Sequence, residues 1–112
     1  MRRNGVLALA AVAAEHLLQV LDVDVEIVEL LDALLPGFDP DARAEAAKLC
    51  RKRGIAIRLG AKILSADVRD DGIALSIEGG ASVSADMAAV CVGRSANLPA
   101  LGLEKAGVRA EA

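Results

Sequence analysis

Few residues in this chain are of types that do chemistry: Cys50, Cys91, His16, a basic run from Lys48 to Arg53, and scattered carboxylates. Cys50 and Cys91 lie far apart and make no metal or redox spacing, so they read as two buried thiols in a reducing compartment. His16 stands in an Ala-rich stretch without a nearby nucleophile and reads as a surface or boundary residue. Lys48, Arg51, Lys52 and Arg53 could grip a phosphate. Their place in the last turns of a helix already follows from the helix dipole, which favours the reading of a solvated helix end. Glu29 closes a short β-branched run and, taken by itself, is a solvated strand-end carboxylate. None of these residues qualifies as a catalytic group.

Composition narrows the partners. The chain has 112 residues, room for one small domain with a single core. Its apolar residues are almost all Ala, Val, Leu and Ile, and Phe38 is the one aromatic, so stacking platforms for bases or sugars are scarce. A net charge of −3 with interspersed signs lacks the basic stripe that nucleic acid demands. No apolar run is long enough to span a bilayer. The start, Met1-Arg2-Arg3 followed by apolar residues from Gly5 to Ala14, imitates a short secretory signal with Ala11-Val12-Ala13 as its cleavage site. The pattern then runs on at helical spacing through Leu17, Leu18 and Leu21, which favours a helix and a cytoplasmic location.

The elements follow from periodicity and breakers. Residues from Val6 to Leu21 predict an Ala-rich helix, and Val25 to Glu29 a short strand. Leu30 to Leu35 leads into the break Pro36-Gly37. The next helix is sharply bounded: Asp39 caps it, Pro40 suits its first position, and Gly54 supplies a left-handed stop. Ala42, Ala46, Leu49 and Cys50 share one of its faces. Ile55 to Leu59 predicts a strand. The period then changes to two, with strands over Ile63–Val68, Ile73–Glu78 and Ser82–Ala85 joined at Asp71-Gly72 and Gly79-Gly80. Met87 to Val92 is a continuous apolar run, as in a strand covered on both faces. A short turn is expected around Leu103 to Gly107. The order predicts a truncated Rossmann-like α/β domain over residues 1–112, with an antiparallel β-meander replacing a crossover helix.

Several stretches together resemble the pyridine nucleotide-disulphide oxidoreductases, most of all those of the dihydrolipoamide dehydrogenase type. They are Val25-Glu26-Ile27-Val28-Glu29-Leu30-Leu31, Leu34-Leu35-Pro36-Gly37-Phe38-Asp39, Arg51-Lys52-Arg53-Gly54-Ile55 and Leu59-Gly60-Ala61-Lys62-Ile63. Val90-Cys91-Val92-Gly93-Arg94 and Leu101-Gly102-Leu103-Glu104-Lys105-Ala106-Gly107-Val108 complete the set, in the family's order and near its spacing. The resemblance is specific from Val25 to Val108 and weak upstream. It implies a homodimeric flavoprotein that carries FAD on one domain and binds NAD on a second, inserted domain. It also implies a redox-active cysteine pair and, for the closest type, the lipoyl groups of 2-oxo acid dehydrogenase complexes as substrate. This chain is similar to the inserted NAD domain, without the FAD and dimerisation domains.

Carried onto this sequence, the resemblance marks three positions. Glu29 falls where an acidic residue accepts hydrogen bonds from the adenosine ribose and repels the extra phosphate of NADP. Ile63 falls where an apolar residue packs near the adenine, although a plain sheet-core role explains it equally well. Gly93 falls where backbone approaches the cofactor closely, the other reading being a turn glycine. The family's GxGxxG turn would fall at Val6, Ala8 and Ala11, and the strand before it would be reduced to Met1 to Asn4. Val6 and Ala8 are poor replacements for glycines that make a tight turn and admit a pyrophosphate. Ala96 stands where the family has proline, just before Asn97. Two functions are therefore expected: an NAD(H)-binding segment with a defective phosphate turn, or a non-catalytic scaffold or interaction module that has lost the cofactor. A fragment of a complete reductase gene, with an N-terminal stretch foreign to the fold, is a third reading.

Overall fold

The computed structural model describes residues 3–9, 23–93 and 95–110, the first of these segments as backbone only. Seven strands and one α-helix are present among them, in the order β1 Arg3–Leu9, β2 Val23–Val28, α1 Pro40–Lys52, β3 Ala56–Arg58, β4 Ile63–Arg69, β5 Gly72–Ile77, β6 Ser82–Ala85 and β7 Met87–Cys91. Two short 3-10 turns, Pro99–Leu101 and Leu103–Ala106, follow. A parallel sheet has the order β3-β2-β1-β7, and an antiparallel sheet the order β4-β5-β6. The α/β class and the meander are those expected from the sequence.

The start of the chain corrects the sequence reading. Residues 6–9 are not helical: they belong to β1, which pairs in parallel with β2 on one side and β7 on the other. The strand thought to be lost is thus present and central. A short Ala- and Leu-rich run suits a buried strand as well as a helix, and hydrogen bonding to two neighbours overrides alanine's helical preference. The rest of the expected helix, 10–21, lies outside the described residues.

Helix α1 forms where its boundary residues require. Asp39 accepts the Asp41 N–H through Oδ1 at 2.9 Å. At the other end Gly54, at φ +80°, turns the chain, and the Ile55 N–H reaches back to the Cys50 carbonyl at 3.0 Å. Replacing Asp39 with alanine should cost about 1 kcal/mol, read as a fall in Tm, while Asp39→Asn should cost much less. The face turned inward differs from the one expected. Arg43, Ala46, Ala47 and Cys50 are the more buried positions, while Ala42 and Leu49 are exposed. The Arg43 Nε–H donates to the Leu34 carbonyl at 2.9 Å, which fixes the helix against the loop after β2.

Strand β2 is the wall between two cores. Val25 and Ile27 pack with Leu34, Cys50 and Ile55 on the helix side. Val28, on the opposite face, joins Ala61, Leu75, Ile77, Val83 and Ala85 of the meander side. Alternation of side chains along a strand makes this division unavoidable. The hairpin between β4 and β5 turns at Asp70-Asp71, with Gly72 already opposite Arg69 in the ladder. Strand β7 departs from the sequence reading in its burial. Met87, Val90 and Val92 are 63%, 74% and 79% exposed, so its apolar run is not covered on both faces. Among the described strands β7 is a sheet edge, paired with β1 alone.

Candidate functional site

Parallel strands deliver their C-terminal ends to one edge of a sheet, and ligands of open α/β sheets bind in the crevice there. The register sets which residues arrive together. Ala8 of β1 is level with Val28 of β2 and with Val90 of β7, and Leu9 is level with Cys91. Glu29 and Val92 therefore leave the sheet on either side of the exit of β1, separated by that one strand. Strands lie about 4.8 Å apart, so the two backbones stand roughly 10 Å from each other across the crevice.

Glu29 is held firmly. Its N–H donates to the Arg58 carbonyl at 2.9 Å, and its carbonyl accepts the Ala61 N–H at 2.9 Å. Its carboxylate Oε1 accepts the Leu31 N–H at 3.0 Å. The side chain is half-buried. Arg58, whose carbonyl accepts the Glu29 N–H, has its own Nε 3.0 Å from Glu26 Oε1, so that guanidinium is engaged by another carboxylate.

Gly93 follows β7 at φ +140°, a backbone angle that side chains resist. A Cβ built there would meet nothing within 4 Å. Its glycine is required by the backbone, and the space where a side chain would begin is open. Ile63 is half-buried, opposite Ile77 in the ladder and packed against the meander core. That packing accounts for an apolar residue there.

Two sequence expectations move. Val6 and Ala8 lie inside β1 and so are not turn positions. Ala11 and His16 lie outside the described residues. The amino-acid sequence from Val6 to Pro36 contains no glycine. The basic run at the end of α1 leads into β3 and so stands at the opposite edge of the sheet, away from Glu29. Sequence reasoning did not single out Leu31, Arg58 and Ala61 as partners of Glu29, because each meets it through a main-chain group. Among the described residues no group of three or more His, Cys, Asp or Glu could hold a metal ion. None of the described helices is long and apolar enough to cross a membrane.

Residues 5–112 match the family profile described as pyridine nucleotide-disulphide oxidoreductase. The chain belongs to that family. It is similar to the dihydrolipoamide dehydrogenase of Chaetomium thermophilum, at 34% identity over 94 residues, 79% of this chain and 19% of that protein. It is also similar to dihydrolipoyl dehydrogenase 3 of Pseudomonas putida, at 31% identity over 96 residues, 81% of this chain and 21% of that protein. Among solved structures, LpdA of Mycobacterium tuberculosis superposes with a TM-score of 0.80 at 24% identity, covering 96% of this chain and 24% of that one. That structural likeness speaks for the fold. This pyridine nucleotide-disulphide oxidoreductase chain spans about a fifth of the length of the curated relatives it matches.

Proposed function

We propose that the chain is the NAD(H)-binding segment of an FAD-dependent disulphide oxidoreductase of the dihydrolipoamide dehydrogenase type. The carrying observation is Glu29 at the C-terminal end of β2, beside the exit of β1, with its carboxylate already oriented by the Leu31 N–H. A carboxylate there accepts hydrogen bonds from both adenosine ribose hydroxyls and repels a 2′-phosphate, so NAD is preferred over NADP. Gly93 lines the crevice from the other flank, and Ile63 offers an apolar surface toward the adenine. When bound, NAD(H) supplies the hydride chemistry; the residues of this chain bind and orient it. The flavin, the cysteine pair and the dimer contacts belong to the remainder of a flavoprotein reductase. Residues 1–112 form part of its nucleotide domain.

The ribose half of the dinucleotide fits these residues better than the phosphate half. A pyrophosphate is normally cradled by backbone N–H groups in a glycine turn after the first strand, and here no glycine stands between Val6 and Pro36. Binding is therefore weak. Titration of the purified chain with NADH, followed by nicotinamide fluorescence, should give a saturable change, and Glu29→Ala should weaken it about tenfold, the value of one charge-assisted hydrogen bond. The absence of saturation at millimolar NADH would rule the reading out.

The missing glycines favour a second reading, a non-catalytic scaffold or interaction module that kept the fold and lost the cofactor. It expects no response to NADH from either the wild-type chain or Glu29→Ala.

A further inference from the structure

Next to Glu29 the chain makes a corner that the roles above leave unexplained. Leu59 packs into the helix-side core, and Ala61, two residues on, is buried in the meander-side core. The chain crosses the sheet from one face to the other at Gly60, which takes φ +60°. A Cβ at Gly60 would meet nothing within 4 Å, so the requirement is one of backbone angle and not of space. With Ala61 buried and Leu59 partly buried, the corner is anchored on both sides.

This corner grips the turn that carries Glu29. The Gly60 N–H donates to the Leu31 carbonyl at 2.8 Å, and the Ala61 N–H donates to the Glu29 carbonyl at 2.9 Å. The Glu29 N–H returns a bond to the Arg58 carbonyl at 2.9 Å. Residues 29–31 are thus fixed at both ends, and the Leu31 N–H is aimed at Glu29 Oε1. Leu30 and Leu31 are themselves exposed, so apolar packing does not orient the turn.

We infer that Gly60 is a positioning residue for dinucleotide selectivity: its left-handed corner fixes the 29–31 turn, which holds the Glu29 carboxylate in one orientation before any nucleotide arrives. The inference rests on the reading of Glu29 as the ribose ligand. A carboxylate already oriented loses little freedom on binding, so it meets the adjacent hydroxyls of NADH in full. Held in place, it cannot rotate away from the 2′-phosphate of NADPH. A mobile carboxylate would do both jobs less well, and the difference would show in the ratio of the two affinities more than in either alone.

The test uses the full chain with NADH and NADPH in parallel fluorescence titrations, and amide hydrogen exchange at Leu31 without nucleotide. Gly60→Ala puts a Cβ on a left-handed residue and should lower the NADH preference about fivefold. Gly60→Asn, which tolerates that conformation, should restore most of it. Leu31 exchange should quicken in Gly60→Ala and in Glu29→Ala. A wild-type NADH:NADPH ratio in Gly60→Ala, with Glu29→Ala still weakening NADH, overturns the inference and leaves the binding reading standing. No NADH binding by the wild-type chain overturns both. Leu31 exchange in Glu29→Ala tests the Leu31–Glu29 bond without a change at Gly60: unaltered exchange removes the oriented carboxylate on which the inference depends and overturns it even if Gly60→Ala does not fold.

Discussion

Gly72→Ala, the smallest side chain that can be added, should destabilise the chain by about 3 kcal/mol or more, combining backbone strain with a steric clash. Gly72 has φ +151°, and a Cβ there would stand 2.5 Å from the Ala85 carbonyl oxygen. That oxygen belongs to the neighbouring strand and cannot retreat as a side-chain tip could. The clash falls between β5 and β6, and any shift of Gly72 to relieve it also disturbs its pairing with Arg69 of β4. Chemical denaturation of the variant should show a midpoint well below that of the wild-type chain. Gly79→Ala is the comparison. It also sits at positive φ but has open space around it, so only the backbone term remains, about 1 kcal/mol. Equal losses in the two variants would show that crowding at Ala85 plays no part.

The second large effect is expected at Leu75, which is 4% exposed in the middle strand of the meander. Leu75→Ala should cost about 2–5 kcal/mol through lost burial and the cavity left behind. Leu75→Asp should cost more at neutral pH, because its listed neighbours in the core, Val28, Ala61, Ile77, Val83 and Ala85, offer a carboxylate no partner. Burial raises the folded-state pKa of the introduced carboxyl above its unfolded value of roughly 3.9. The penalty is therefore greatest above the folded pKa and shrinks as pH falls toward the unfolded one. Denaturation midpoints of Leu75→Asp and Leu75→Ala measured from neutral pH downward should converge, and parallel curves would contradict the argument. The same substitutions reach the candidate site. Ala61 belongs to this core and its N–H holds the Glu29 carbonyl, so a disturbed meander also loosens Glu29.

Much of the fold was legible because its boundaries are set by local chemistry. Asp39-Pro40 and Gly54 bracket α1, a glycine pair closes the β5–β6 connection, and Ser82–Ala85 alternates as a half-buried strand must. The central strand was not legible. Its apolar residues carry no period that separates a buried strand from a helix, and only the partners β2 and β7 decide the matter. The inward face of α1 was misjudged for a related reason: Ala42, Ala44, Ala46 and Ala47 are spread round the helix and define no stripe, so tertiary contacts and the Arg43 bond to Leu34 choose the face. At the candidate site it is the family resemblance that marks Glu29, since its place at the end of a β-branched run alone suggests only a solvated carboxylate. The surroundings of that residue stay hidden from side-chain arguments, since Arg58 and Ala61 reach it, and Gly60 reaches Leu31, through main-chain groups.

The bare flank of β7 has a practical consequence for how this polypeptide behaves. Met87 and Val90 lie on, and Val92 just beyond, a strand that is bonded along one side only among the described residues. Such a rim is adhesive: two freely diffusing copies gain by laying their rims together, and nothing in that association limits it to the right neighbour. Enclosed by a longer polypeptide the same strip is silent. Where it is left uncovered, self-association of the folded chain should rise with concentration, without any loss of folding.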